Sequence, residues 1–316
     1  MSFFARDLPA PAVVSRSRIA WEETACLLCG RRNWQQVVEA PDTSAGGSGL
    51  WFAVVQCLEC GLCFTNPRPD RQSMGQFYPA DYRPHRPRPR QRPPSRRPPA
   101  WNLPGQPWRT LPWRGPGKLL DFGCGNGSFL ERVRRQGWDV TGVDLSPVAV
   151  QRTREAPALP VLVGTLPHPH LAPGSFDVIT MWHSLEHVHD PLAVLGEAHR
   201  LLAPSGKLLV AVPNIDSLPF RWFGQAWIGL DLPRHLSHFA PGTLYRMLQR
   251  AGFRVGRMRM VRHSNWLRRS AGLAARLPRP RRWHRWLQAG VPSRLATWYA
   301  FVTGRADCLQ VTAVRQ

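Results

Sequence analysis

Residues 121–130 read Asp-Phe-Gly-Cys-Gly-Asn-Gly-Ser-Phe-Leu, and a second acid, Asp144, closes the next apolar run, Trp138 to Asp144. Glycines at 123, 125 and 127 let the backbone turn sharply and approach a ligand with no side chain in the way. A carboxylate at the end of the following strand can accept hydrogen bonds from both hydroxyls of a ribose. Loop and acid together suit a nucleoside. Two further sets of residues carry chemistry. His183, Glu186, His187 and His189 cluster after one apolar run, and Asp231, Arg234, His235 and His238 come later in the chain. Imidazoles titrate near neutral pH and serve as bases or metal ligands. Cys26-Leu-Leu-Cys29-Gly and Cys57-Leu-Glu-Cys60-Gly are two C-x₂-C pairs, each followed by a glycine that can turn backbone amides toward thiolates.

The elements that must position these groups are legible. Lys118 to Phe122 suits a buried parallel strand, and Phe129, Leu130 and Val133 mark the buried face of a helix opening at the glycine loop. A third short apolar run is Pro160-Val-Leu-Val, and a fourth, Ser175 to Trp182, is announced by Pro173-Gly174. Asp190-Pro191 is a good N-cap and N1 pair for a helix lined by Leu195, Ala198 and Leu202, which Ser205-Gly206 breaks before strand Lys207–Val212. Open α/β sheets bind ligands at the carboxyl ends of their strands, so both histidine sets fall where chemistry is expected.

The glycine spacing is G-x-G-x-G, not the G-x-G-x-x-G of a dinucleotide fold. Asp121, two residues ahead, would repel a pyrophosphate but suits a cationic aminoacyl-sulfonium. The pattern resembles motif I of the class I S-adenosylmethionine-dependent methyltransferases. Phe176 to Pro213 is similar to the "FDvv…LEHv.dP…LkpGG.l.v.vP" signature of the branch containing ubiquinone-biosynthesis O-methyltransferases, and Asp231 to Leu244 resembles its "D.PRHl.hFsp.tL" segment. The resemblance covers roughly residues 117–262 and the last ten. It implies an α/β fold: a seven-stranded Rossmann-like sheet of order 3-2-1-4-5-7-6, its last strand antiparallel and formed by Cys308 to Val314. It also implies in-line methyl transfer to a small-molecule, sugar or lipid-linked acceptor. The cofactor, S-adenosyl-L-methionine, would be lined by Asp121, Gly123, Gly125, Gly127, Asp144, Leu145, Thr165, Leu166 and His183. Where relatives often carry an acid for adenine after the third strand, this chain has Gly164-Thr165-Leu166. Thr165 and backbone groups would stand in for that acid.

His187, His235 and His238 lead as the general base. An alternative sets His183, Glu186 and His187 on one helical face at i, i+3 and i+4, joined by His235 or His238 around a divalent metal. That spacing resembles the Glu-x-x-Glu-His motif of plant small-RNA 2′-O-methyltransferases, and a similar motif occurs in ubiquinone O-methyltransferases. A purely structural hydrogen-bonding role is the third reading.

Around this half the sequence reads as a tail (1–22), a zinc ribbon (23–66) with structural Zn²⁺ on Cys26, Cys29, Cys57 and Cys60, and a connector (67–82). Tyr78 and Tyr82 in the connector are candidates for a lid. An Arg/Pro-rich linker (83–116) leads to the methyltransferase domain (117–316). Cofactor binding is expected to survive loss of the ribbon's metal, because the catalytic core does not need it. The net charge is +22, but all but two of the 42 basic residues are arginine, a bias a GC-rich genome can produce, so charge alone does not indicate nucleic acid. Nucleic-acid binding, as an RNA-modifying factor, is one alternative, and a non-catalytic cofactor-binding regulator is another. No secretory h-region or membrane-length apolar run is visible, which suits a cytoplasmic protein. Residues 263–304 hold eight arginines, four tryptophans and no acid, which suits either peripheral contact with an anionic membrane or a helical pair covering the sheet edge with a solvated basic face. No motif bears on oligomeric state.

Overall fold

Each cysteine pair sits beside a β-prone run, and the computed structural model forms strands from both. It describes residues 18–42, 48–78, 82, 85, 111–113, 115–155 and 158–316; most of the linker and the tail lie outside the described residues. The first part holds β1 (Trp21–Glu22), β2 (Trp34–Pro41), β3 (Trp51–Cys57), β4 (Cys63–Thr65) and β5 (Arg68–Pro69). β2, β3 and β4 pair antiparallel, and β1 pairs with β5. β3 alternates as a half-buried strand should, with Phe52 and Val54 inward and Trp51 outward.

The second part builds a seven-stranded sheet from β6 (Gly117–Phe122), β7 (Trp138–Asp144), β8 (Val161–Val163), β9 (Phe176–Trp182), β10 (Leu202–Pro213), β12 (Phe253–Val261) and β13 (Cys308–Arg315), with the short β11 (Ser237–His238) outside it. Its order is β8-β7-β6-β9-β10-β13-β12, the 3-2-1-4-5-7-6 arrangement, and β13 runs antiparallel to both β10 and β12. β6, β7, β9 and β10 read as apolar runs because helices cover both faces: Leu119, Leu120, Ile179, Met181, Val210 and Val212 are all buried. α1 (Ser128–Arg134) and α2 (Pro147–Glu155) follow β6 and β7; α3 (Pro191–Leu201) follows β9. The expected cap is present, Asp190 Oδ1 accepting from the Ala193 amide at 2.9 Å. α4 (Leu218–Phe223) and α5 (Pro241–Arg250) flank β11, and α6 (Ser264–Ala274), α7 (Arg282–Trp286) and α8 (Gly290–Val302) lie between β12 and β13.

Sequence separates ribbon from catalytic half, but the fold joins them. β11 pairs with β4 and becomes the fourth strand of the ribbon sheet. Leu62 and Phe64 share one apolar core with Phe239, Leu244 and Met247. From α5, Arg246 donates to the Cys60 carbonyl and Arg250 to the Leu28 carbonyl, so both cysteine knuckles are gripped by the catalytic half. Ribbon and catalytic half thus share a sheet and a core.

Candidate active site

The glycine loop is forced by close approach. Gly123 and Gly127 take positive φ, and a Cβ on either would fall 2.5 Å from a neighbour, the Ser184 or the Thr153 side chain. Gly125 donates its amide to Asp144 Oδ2 at 2.8 Å, and the Ser146 amide donates to Oδ1 at 2.9 Å, which fixes the acid at the loop's edge. Asp121 is buried and accepts from Thr180 Oγ1 at 2.6 Å. Leu145 is exposed beside Asp144, Thr165 is exposed and Leu166 is buried.

Over this loop lies the connector. His85 Nε2 faces Asp144 Oδ1 at 3.5 Å, offering a donor where a ribose hydroxyl would bond. Burial lowers the pKa of His85, with Asp144 pulling the other way. Tyr82 packs edge-on against both His85 and Tyr78, at 5.2 and 5.0 Å between ring centroids. Tyr78 in turn reaches His187, 3.1 Å from Oη to Nδ1. A chain of aromatic rings thus runs from the ribose acid to the histidine cluster. Both tyrosines suit the lid role expected of them, and His85 is a member that the sequence reading missed.

At the other end of that chain three residues converge. A short 3-10 turn, Leu185–His187, presents Glu186 and His187, and the loop after α4 supplies His235. Ligand atoms of Glu186, His187 and His235 all lie within 4.8 Å of one another. Carbonyls fix the tautomers. His187 Nδ1 contacts the Arg234 carbonyl at 3.0 Å and His235 Nδ1 the Gly229 carbonyl at 2.8 Å. A carbonyl only accepts, so both Nδ1 atoms carry hydrogen and both Nε2 atoms keep their lone pairs. Burial, reinforced by His235, holds His187 at a pKa of about 4, and burial also lowers His235. Glu186 is fully buried and raised by that burial, and its Oε2 has no hydrogen-bond partner. A buried carboxylate oxygen with nothing to accept is a place for a hydroxyl or a cation.

Asp231 and Arg234 brace this cluster. Arg234 is fully buried and bonds Asp231 Oδ1 at 2.8 Å, Asp42 Oδ1 of the ribbon at 3.0 Å and the Phe77 carbonyl at 3.0 Å. Burial pushes Asp231 upward, but Arg234 and then His235 outweigh it and hold it at about 2. Asp231 and His183 are non-glycine residues at positive φ, 37° and 55°, strain of the kind that gathers at functional sites.

Two expected roles change. His238 is not available as a base at Nε2: it is buried in β11, and Thr65 Oγ1, which donates to the His235 carbonyl, can only accept from His238 Nε2–H at 3.1 Å. Its lone pair is therefore not on Nε2, and burial drives its pKa to about 3. His183, Glu186 and His187 do not share a helical face, because positive φ at His183 ends the strand before the 3-10 turn begins. Instead His183 places its side chain between Glu186 Oε1, at 3.2 Å, and Cys308 Sγ, at 3.8 Å.

In the ribbon the four cysteines meet. Cys26 and Cys60 Sγ are 3.4 Å apart, Cys29 and Cys57 3.5 Å, and all four lie within 4.8 Å of one another. Gly30 and Gly61 take φ near +75° as the turn after each pair requires, and their amides bond the carbonyls of Cys26 and Cys57. Four sulfurs about 3.8 Å apart surround a tetrahedral zinc with bonds of about 2.3 Å, so this donor set fits that metal.

Comparison with known proteins agrees with this geometry. A family model described as a methyltransferase domain matches residues 93–256. The ubiquinone biosynthesis O-methyltransferase of Pseudomonas aeruginosa (strain UCBPP-PA14) is 33% identical over 150 residues, which cover 44% of this chain and 65% of that protein, less than two thirds of its length. The enzyme of the same name from Xanthomonas euvesicatoria pv. vesicatoria is 32% identical over 165 residues, covering 48% of this chain and 69% of that one. Among solved structures, an S-adenosylmethionine-dependent methyltransferase from Mesorhizobium loti superposes with a TM-score of 0.46 at 22% identity, over 65% of this chain and 94% of that one. The matched family model and the loop, acid and sheet order all point one way: the chain belongs to the methyltransferase-domain family.

Proposed function

We propose that this enzyme methylates a hydroxyl of an acceptor that is presented at an anionic membrane surface. The observation that carries the hydroxyl is the gathering, within 4.8 Å, of ligand atoms from His187, His235 and Glu186, a buried carboxylate whose Oε2 has no hydrogen-bond partner. When bound, S-adenosylmethionine supplies an electrophilic methyl on a sulfonium. Asp144 holds its ribose, and the glycine loop admits its aminoacyl end. His187 Nε2 takes the acceptor's proton, and Glu186 stabilises the imidazolium that results. The relatives named for ubiquinone biosynthesis act on oxygen, which agrees with this reading. If the same three groups hold a divalent cation instead, chelation abolishes turnover and Mg²⁺, Mn²⁺ or Zn²⁺ restores it. Cofactor binding without turnover on any acceptor would mark a regulator.

The surface supports the membrane. α8 is inverted: it buries Ser293, Thr297 and Ala300 and exposes Val291, Leu295, Trp298, Tyr299, Phe301 and Val302. Trp286 of α7 is also 60% exposed, whereas Trp283 packs inward on Phe223 and His284. An apolar face this size is unusual on a free surface, and the segment around it carries eight arginines and no acid. Each arginine contributes roughly 1 kcal/mol near anionic lipid. No helix among the described residues is long and apolar enough to cross a membrane, so the face would lie in the interface. In liposome flotation the protein is expected to float with anionic but not neutral vesicles, less so in salt, and less so as Trp286→Ala/Trp298→Ala. Protein that stays at the bottom with anionic vesicles at low salt would point to a soluble acceptor, and salt-sensitive RNA binding there to a nucleic-acid one.

Zinc in the ribbon belongs to the same proposal. Elemental analysis should find it lost in a Cys26→Ser/Cys57→Ser variant. Because Arg246 and Arg250 grip the knuckles, the catalytic half should melt earlier too, by several degrees at about 1–2 kcal/mol. An unchanged melting curve in the zinc-free variant would show the ribbon to be independent after all.

A further inference from the structure

We infer a second metal site, for zinc or a cation of similar softness, formed by His183, His263 and Cys308. The three residues come from the ends of β9, β12 and β13, which the sheet order brings together at the carboxyl edge of the parallel strands. One ligand atom from each lies within 4.8 Å of the other two. The separation of Cys308 Sγ from His183 Nε2 is 3.8 Å, close to the roughly 3.6 Å that two such ligands keep on a tetrahedral zinc. One thiolate with two imidazoles is a donor set that favours zinc over magnesium or calcium.

The surroundings are those of a metal site. His183 Nδ1 is held by Glu186 Oε1 at 3.2 Å, so its Nε2 lone pair is the one turned to Cys308. A carboxylate behind a ligating histidine fixes the ring and raises its basicity. The His263 ring stacks on Trp266 at 4.7 Å between centroids, and its amide donates to Asp307 Oδ1 at 3.1 Å. Asp307 Oδ2, in a residue only 1% exposed, has no hydrogen-bond partner. His183 stands at positive φ, with its Nε2 3.8 Å from Cys308 Sγ. On binding, the Cys308 thiol gives its proton to solvent and the sulfur bonds the metal; three protein ligands leave a fourth position for water or a ligand oxygen. The ion would also pin α6, and with it the exposed face of α8, to the sheet. This site shares no ligand with the ribbon or with the Glu186–His187–His235 set, although Glu186 Oε1 braces His183 from behind.

The test is the metal content of the full chain loaded with zinc and freed of excess by gel filtration. Cys308→Ala and His263→Ala should each lose about one equivalent, while His187→Ala keeps it. With cobalt(II) in place of zinc, the difference between wild type and Cys308→Ala should contain a thiolate-to-cobalt charge-transfer band. An unchanged metal count in either variant, or a difference spectrum with no such band, overturns the site. X-ray absorption of the zinc-loaded wild type guards against misfolding of the variants: a first shell of sulfur alone would also overturn it, and a shell containing nitrogen beside sulfur is the result expected.

Discussion

Replacing Arg234 by alanine is expected to destabilise the protein by about 3–5 kcal/mol, the usual cost of removing one partner from a buried ion pair. Arg234 is 0% exposed and sits between Asp231 of the catalytic loop and Asp42 at the end of β2, while also donating to the Phe77 carbonyl at the root of the lid. Truncation leaves two carboxylates beside an empty volume. It also frees the strained turn at Asp231 that sets the neighbouring His235. Arg234→Lys keeps the charge but not the fork that reaches three partners, and should recover only part of the loss. Chemical denaturation measures both. A change below about 1 kcal/mol for Arg234→Ala would mean that ribbon and catalytic half are not joined here.

His187→Ala should lower turnover by roughly 10²–10⁴ with cofactor affinity intact, the range for loss of a positioned base. The lone pair of His187 is on Nε2 because Nδ1–H is committed to the Arg234 carbonyl. The pH profile is a second signature. Burial and His235 hold the group at about 4, so the base form is fully populated at neutral pH and is lost only as pH falls through that value. The acidic limb of kcat should therefore lie near pH 4, well below that of an ordinary histidine, and should vanish in His187→Ala. A limb at about 6.5, the usual imidazole value, that persists in the variant would assign the titration to another group. Full activity in His187→Ala would mean that positioning alone carries the reaction.

These roles divide between what local pattern reveals and what only the assembled chain does. The strand order rests on the family resemblance, whereas the glycine loop, Asp144, the Asp190 cap and the strands follow from short-range signals: glycines where Ser184 and Thr153 crowd the backbone, apolar runs where helices cover both faces of a sheet. The same holds for the paired knuckles. His238 looked like a base because its type and neighbourhood suited one, and only its pairing with Thr65, 173 residues away, shows otherwise. His85 fell in an arginine- and proline-rich stretch with nothing apolar to signal packing, yet it reaches Asp144. His183 read as the first residue of a helical triad; in the structure it stands at positive φ before the 3-10 turn and shares no helical face with Glu186 and His187. α8 shows the reverse problem. Its apolar residues promise a buried helix, and it is the small polar Ser293 and Thr297 that face inward.

The central claim is that S-adenosylmethionine is held between the glycine loop and Asp144. Calorimetry with S-adenosylhomocysteine tests it most directly, because product binding needs no acceptor and no knowledge of the chemistry. Wild type should bind, and Asp144→Ala should lose about 2–4 kcal/mol, since a ribose diol would be left without its acceptor and the Gly125 and Ser146 amides without theirs. Tight binding of NADH in place of S-adenosylhomocysteine, or equal affinity in wild type and Asp144→Ala, would contradict the account.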